Sequence, residues 1–98
     1  MSIEITMRHD VKLGKPVQDF AHEKAEEIKA MFETVEFVQV VIGMDGPLFV
    51  ADIKAQGGRG MTADAKDKNA DGRTAIVGAF DKLEVQLRKQ AKKNNEKR

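Results

Sequence analysis

The chain has 98 residues, among them no cysteine, tryptophan or tyrosine. This length fits one domain with a single core, and the lack of cysteine excludes disulfides, thiolate zinc sites and cysteine nucleophiles. The formal net charge of +1 conceals a separation of charge, because residues 1–71 sum to −4 and residues 72–98 to +5. No apolar run approaches membrane-spanning length, so we expect a soluble, cytoplasmic protein that does not bind a membrane.

The first third of the chain predicts a strand followed by a helix. Residues 2–8 alternate apolar and polar side chains, as a half-buried strand does. Residues 14–16, Gly-Lys-Pro, supply a helix start, because proline is tolerated in the first helical turn. The helix is expected to end near Phe32. Its inner stripe consists of Val17, Phe20, Ala21, Lys24, Ile28, Met31 and Phe32.

Three strands are predicted in the middle of the chain. The β-branched run over residues 37–42 indicates a well-buried central strand. Alternation of apolar and polar side chains predicts two more strands, over residues 49–55 and 61–66. Turn-forming residues at 44–47 and 56–60 join the three strands into an antiparallel meander.

The second predicted helix carries the positive charge. A polar loop over residues 67–72 precedes it, and Asp71 is well placed to cap a helix that runs to about Lys93, with Asn94 and Asn95 ending it. Its apolar stripe consists of Ile76, Ala79, Phe80, Leu83 and Leu87. At about 100° per residue, the opposite face carries the cations Lys82, Arg88, Lys89, Lys92 and Lys93.

The element order β-α-β-β-β-α predicts an α+β two-layer sandwich. A four-stranded sheet would have both helices packed on one face, with residues 1–93 forming a single domain and residues 94–98 a short basic tail. The other face of the sheet is left to solvent. On these strand assignments it carries no aromatic side chain, so recognition of bases by stacking on the sheet is not expected.

The cationic helix face is the footprint expected for a polyanion, most often nucleic acid. Neutralising phosphates releases condensed counterions, which favours binding. A solvated helix with a basic tail would carry the same charges, since lysines near a helix C-terminus complement the helix dipole. The loop Gly57-Gly58-Arg59-Gly60 lacks a phosphate-loop pattern and is interpreted as a flexible hairpin with positive φ at glycine, leaving Arg59 as a candidate phosphate contact.

Catalytic chemistry has little support in the sequence. His9 and His22 are the two histidines, and neither belongs to an HxH, HExxH or carboxylate–histidine cluster. Ser2 is the single serine, so a serine nucleophile has no credible candidate. We therefore expect a protein that is not an enzyme, with no metal, no cofactor and no small-molecule substrate.

Several short sequence pieces follow one another in a characteristic order and spacing along nearly the whole chain. They are Ile3-Glu4-Ile5-Thr6, Phe20 with Lys24, Phe32, the valine-rich second strand, Gly57-Gly58, Ala63-Asp64-Ala65, and Asp81-Lys82-Leu83 followed by Gln86-Leu87. With the element order and the basic second helix, they resemble the bacterial ribosome hibernation factors, the family of ribosome-associated inhibitor A and hibernation promoting factor. The length is similar to that of the short form of this family.

The resemblance implies a translation inhibitor that binds the 30S subunit near the A and P sites through 16S rRNA and excludes tRNA and mRNA, in stationary phase or stress. The positions that are basic in the family, and would contact rRNA phosphates, are Lys24, Lys82, Lys89 and Lys93. Further candidates for rRNA binding are Arg59, Arg73, Arg88 and Lys92. Gly72-Arg73 replaces a Met-Tyr pair that is common in the family.

Two other functions stay open from the sequence. A general double-stranded-RNA-binding domain has a similar arrangement of sheet and helices, and binding of a free A-form duplex would identify it. A protein-interaction module that uses an exposed strand edge is the other alternative, and its binding would lack a steep dependence on salt.

Overall fold

Four strands and two helices follow one another in the predicted order in the computed structural model of the chain. The structure describes residues 2–8, 11 and 13–96, and for residues 91–96 the backbone alone. The elements are β1 Ser2–Met7, α1 Lys15–Met31, β2 Val35–Asp45, β3 Leu48–Gly57, β4 Thr62–Asn69 and α2 Gly72–Glu96. A single 3₁₀ turn, Gly58–Gly60, lies between β3 and β4. The predicted α+β class and element order are confirmed.

The sheet has the strand order β1-β2-β3-β4. The β1–β2 pair is parallel and is joined by the crossover helix α1, whereas the β2–β3 and β3–β4 pairs are antiparallel. Helix α1 packs on β1 and β2, and helix α2 packs on β3 and β4. The core between the two layers includes Val38, Val40, Ile42, Ala51, Ile53, Ala55, Ala21, Ala25, Ile28, Ile76, Phe80, Leu83 and Leu87.

Helix α2 begins at the capping residue that the sequence predicts. The Asp71 carboxylate accepts hydrogen bonds from the Thr74 backbone N–H at 3.0 Å and the Thr74 hydroxyl at 2.7 Å. These bonds hold the pKa of Asp71 below its usual value. The predicted C-terminal end is wrong, because the helix continues through Asn94 and Asn95 to Glu96. Asparagine disfavours a helix by less than about 0.7 kcal/mol and does not by itself end one.

The structure also corrects the predicted end of β4 and the predicted inner stripe of α1. Strand β4 extends to Asn69 instead of ending at residue 66, because its antiparallel pairing continues as far as Phe49 opposite Asn69. On α1, the predicted inner residue Met31 is the last residue of the helix and is 46% exposed. Ala25, which the predicted stripe omits, is fully buried in its place.

The open face of the sheet carries one aromatic ring, contrary to the prediction. Val38, Val40 and Ile42 point into the core, so the alternation of β2 places Phe37 on the opposite face, where it pairs in register with Ser2 and Gln56. The bulge between Val35 and Phe37 changes the face that the strand presents at its start. One half-buried ring at the end of the sheet does not make a base-stacking surface, which uses several exposed rings.

Candidate nucleic-acid interface

One flank of α2 lies along the outer edge of β4 and covers the backbone there. Three side chains spaced four residues apart on the helix reach main-chain groups that face away from β3. Lys82 Nζ donates to the Lys66 carbonyl at 3.2 Å, Gln86 Nε2 to the Asp64 carbonyl at 2.6 Å, and Gln90 Nε2 to the Thr62 carbonyl at 2.9 Å. The Asp64 N–H also donates to Gln86 Oε1 at 3.2 Å. These contacts seal an edge that could otherwise pair with another strand.

Sequence reasoning missed the two glutamines of this seal. In the sequence, Gln86 belongs only to the pieces that carry the family resemblance, and Gln90 belongs to no motif. The available signal is their spacing with Lys82 at i, i+4 and i+8, which places all three on one flank of a helix. A polar stripe beside an apolar stripe is ordinary for a surface helix, so the spacing alone does not reveal the strand edge.

Lys82 has a second protein partner beneath the helix. Its Nζ lies 3.1 Å from Asp67 Oδ1, and the Asp67 side chain is only 30% exposed. Asp67 fits there because Gly78 has no side chain, and a Cβ at Gly78 would overlap the Asp67 carboxylate. The charge of Lys82 is therefore partly neutralised within the fold, and its role as an rRNA contact stays a prediction.

Two other predicted rRNA contacts have acidic partners on their own helices. Arg88 Nη2 lies 2.7 Å from Glu84 Oε2, one turn earlier on α2. Lys24 Nζ lies 3.6 Å from Glu27 Oε1 on α1. In these pairs the Lys24 side chain is 27% exposed and the Glu84 side chain 32% exposed, and pairs near the surface contribute little to stability. Both cations thus remain accessible to a phosphate, at the cost of releasing a carboxylate.

Arg73 lies where α2 begins beside α1. Its guanidinium carbon is 5.3 Å from the centre of the Phe20 ring, a cation–π contact between the two helices. Gly72, the first residue of α2, is buried against Leu13, and a Cβ there would lie 3.1 Å from a Leu13 methyl group. The Gly72-Arg73 pair therefore has a packing role in joining α2 to the rest of the domain.

Lys89, Arg59 and Arg73 are the predicted contacts that form no salt bridge in the described part of the chain, and Arg73 contacts the Phe20 ring instead. Lys89 is exposed on the outer surface of α2, next to Gln90, which is bonded to β4. Arg59 is exposed in the 3₁₀ turn between β3 and β4. The side chains of the two remaining candidates, Lys92 and Lys93, lie outside the described residues.

The open face of the sheet has charges of both signs and contrasts with α2. A shallow groove of about 240 Å³ is lined by Arg8, Lys66, Lys68, Asp45 and Asp52, among other residues. Lys68 is paired with Asp45 at 2.7 Å and holds the pKa of Asp45 below its usual value. Because basic groups here alternate with carboxylates, the groove is a poorer phosphate site than the outer surface of α2.

Two carboxyl groups meet on this open face. Asp52 on β3 and Asp64 on β4 are diagonal neighbours, and the pKa of Asp64 is raised because its protonated form can hydrogen-bond to the Asp52 carboxyl. The Asp52 Oδ1 atom is buried without a hydrogen-bond partner in the described structure. In the described residues no three His, Asp or Glu side chains are grouped so that they could hold a metal ion.

The histidines form no larger cluster within the described ranges. His22 Nδ1 lies 3.4 Å from Glu26 Oε1 at the surface of α1, and His9 lies outside the described residues. No helix among the described residues combines the length and apolar character needed to cross a membrane.

Comparison with known proteins identifies the family. The model of the Sigma 54 modulation protein / S30EA ribosomal protein family matches residues 3–95. The chain therefore belongs to this family, which consists of ribosome-associated factors and is not an enzyme family. The relationship to ribosome hibernation factors predicted from the sequence is confirmed. No curated protein matches the chain in sequence.

Two solved structures share the fold. A ribosomal subunit interface protein from Coxiella burnetii has a TM-score of 0.82 and 18% sequence identity, with 93% of this chain and 98% of that chain covered. The N-terminal domain of Thermus thermophilus Protein Y has a TM-score of 0.77 and 23% identity, with 91% of this chain and 98% of that chain covered.

Proposed function

We propose that this protein is a translation inhibitor that binds the 30S ribosomal subunit near the A and P sites and excludes tRNA and mRNA. It would act in the cytoplasm, silencing ribosomes in stationary phase or under stress. Membership of a ribosome-associated family supports this proposal. The observation that carries it is the outer surface of α2, where Lys89 is exposed opposite the buried stripe and forms no salt bridge within the described part of the chain.

The proposed contact is electrostatic and involves the phosphates of 16S rRNA. The proposed contacting residues are Lys82, Arg88, Lys89, Lys92 and Lys93 on α2, with Lys24 on α1, Arg73 between the helices and Arg59 in the turn before β4. Phosphate contacts position a protein without reading sequence, so specificity comes from the fit of the domain in a folded RNA cleft. No chemical step is needed, because occupancy of the channel is sufficient to exclude its other ligands.

The structure restricts one alternative function to a single edge of the sheet. A protein-interaction module that adds a strand to the sheet needs an open edge, and the β4 edge is occupied by side chains of α2. Within the described residues, β1 alone keeps an uncovered edge. A general double-stranded-RNA-binding domain is tested below with a free duplex.

Pelleting with purified 30S subunits tests the proposed interface. Lys89→Gln should weaken binding about five- to eightfold at about 0.1 M salt, because one phosphate contact changes the salt slope by about 0.7–0.9. Lys54→Gln is the matched control, since it removes the same charge from an exposed site on the opposite face of the sheet. Equal affinity for 30S and 50S subunits, or equal losses in the two variants, would overturn the proposed interface.

Competition tests the proposed mechanism. Initiator tRNA with mRNA should displace the protein from 30S subunits, because ligands that cannot share a site compete by mass action. Stable simultaneous binding of this protein and P-site tRNA to one subunit would rule out occupancy. A free A-form duplex bound as tightly as the subunit would favour the general RNA-binding alternative. Sedimentation of lysate on a sucrose gradient would show whether the protein travels with 30S, 70S or 100S particles.

A further inference from the structure

Strand β1 leaves one edge of the sheet unpaired. The Arg8 N–H donates to the Ile42 carbonyl at 2.9 Å, so the even-numbered residues of β1 direct their backbone groups toward β2. The odd-numbered residues Ile3, Ile5 and Met7 therefore direct their N–H and C=O groups away from the sheet. No group among the described residues forms a hydrogen bond with these outward groups.

This edge lacks the features that usually protect an edge strand. Lysine, proline and bulges keep such edges from pairing with other chains. Strand β1 has the sequence SIEITM, without lysine or proline, and it pairs with β2 without a shift of register. The β4 edge, by contrast, is covered by side chains of α2. The β1 edge is therefore a regular, six-residue template for a further strand.

The apolar side chains of β1 are incompletely buried. Ile3, Ile5 and Met7 are half-buried against the core, whereas Val38 and Val40 on the neighbouring strand are fully buried. A further strand beside β1 would remove more of this apolar surface from water, which favours association. The strand that fits best brings an apolar row of its own on the same face, and β1 of a second copy supplies one.

We propose that two copies of this chain associate through their β1 edges, antiparallel about a two-fold axis, and form one continuous eight-stranded sheet. In the proposed register, Ile5 lies opposite Ile5 of the second copy and Ile3 lies opposite Met7. Each outward-facing residue then exchanges both backbone hydrogen bonds with its counterpart. The proposal does not depend on ribosome binding, because the sheet order keeps α2 of both copies at the far ends of the assembly.

Charges on the open face of the sheet favour this register. Glu4 lies opposite Thr6 of the second copy, and Arg8 of that copy is a diagonal neighbour of Glu4. Shifting the second strand by two residues would place Glu4 directly opposite Glu4, and like charges in that position are destabilising. The same shift would also leave Met7 without an apolar counterpart. The proposed register thus combines the longest overlap with opposite charges.

The helical layer is compatible with the same pairing. Each helix covers two strands, and with strands about 4.8 Å apart this places the axes of α1 and α2 about 10 Å apart, an ordinary packing distance. A second copy joined at β1 repeats the spacing, so two α1 helices would lie about 10 Å apart. The flank of α1 that meets the second copy lies opposite Phe20, which contacts α2. At about 100° per residue, this flank consists of Gln18, His22, Glu26 and Lys29, whose formal charges cancel when histidine is neutral.

Sedimentation equilibrium of the purified full chain tests the proposal without ribosomes. The range should run from about 10 μM to about 1 mM, because an interface of one strand pair and two helix flanks is small. The average mass should rise from 10.9 kDa toward twice that value as the concentration increases. A mass that stays at 10.9 kDa over the whole range would overturn the proposal, whatever the outcome with 30S subunits.

Substitutions of opposite charge at Thr6 test the register. Thr6 is exposed, and Thr6→Glu places a carboxylate opposite Glu4 twice in the dimer, so the dissociation constant should rise about two- to thirtyfold. Thr6→Lys places a cation there and should associate at least as tightly as the unmodified protein. Gln56→Glu and Gln56→Lys make similar charge changes on β3. They lie about 14 Å from the second copy, beyond the Debye length of about 8 Å at 0.15 M salt, and should associate alike.

Amide hydrogen exchange locates the interface on the strand. The N–H groups of Ile3, Ile5 and Met7 should exchange more slowly at about 1 mM than at about 10 μM, because pairing protects them. The N–H of Gly60, which is exposed in the turn between β3 and β4, should exchange alike at both concentrations. A dimer without protection of the three β1 amides, or with equal dissociation constants for Thr6→Glu and Thr6→Lys, would show association through another surface and overturn the β1 interface.

Discussion

Replacing Gln86 with alanine tests the seal along the β4 edge. The substitution removes the two hydrogen bonds between the Gln86 amide and the backbone of Asp64, at 2.6 and 3.2 Å. A net hydrogen bond contributes about 0.5–1.5 kcal/mol, and water can reach the exposed Asp64 backbone once the amide is gone. We therefore expect a loss at the lower end of the sum of two bonds, about 1–2 kcal/mol.

Thermal unfolding measures this loss. For a domain of this size, about 1–2 kcal/mol corresponds to a melting temperature lower by about 4–10 °C. Gln18→Ala is the matched control, because Gln18 is an exposed helical glutamine on α1 whose side chain makes no hydrogen bond to the described residues. The control removes the small effect of helix propensity from the comparison. Equal melting temperatures for the two variants would refute the idea that the amide seals the strand.

Three other predictions concern stability. Gly78→Ala should lower the urea midpoint although alanine favours helices, because the new Cβ displaces Asp67; a raised midpoint would contradict the close approach. Asp71→Ala should lower the melting temperature at pH 7, and this difference should shrink in acid. The pKa of Asp71 is lowered from its usual value of 3.8, so its carboxylate stabilises the fold fully above that pH. This stabilisation is lost as the pH falls through the lowered pKa. Asp64→Asn should raise the melting temperature at pH 7, because the raised pKa of Asp64 beside Asp52 means that its ionised form destabilises the fold. The gain should vanish in acid, where Asp64 is protonated. A difference in melting temperature that stays constant with pH would contradict the carboxyl pair.

Elements and core could be predicted because burial imposes a period on the sequence. The stripe containing Ile76 and Leu83 repeats at the helical spacing, and both residues are fully buried. The capping residue Asp71 is also predicted correctly, because a helix cap depends on the local sequence. Local patterns therefore sufficed for the layout of the domain.

Features that depend on contacts between distant segments could not be predicted. The pairing of Lys82 with Asp67 requires a particular register of α2 on β4 and a glycine at position 78. The inward position of Val35 depends on the bulge between Val35 and Phe37, which the alternation of residues along β2 does not reveal. Of the candidate rRNA contacts, the sequence therefore identifies which residues are cations and the fold decides which of them have partners.

The seal along β4 has a consequence for how the family can vary. All of its hydrogen bonds on the strand side are made by main-chain groups of Thr62, Asp64 and Lys66. Every residue type supplies the carbonyl groups and all but proline supply the N–H, so other substitutions on the outward side of β4 leave the seal intact. Among relatives, we therefore expect the glutamine positions of α2 to be conserved and the residues of β4 beside them to vary. These positions should lack the paired substitutions that contacts between side chains produce.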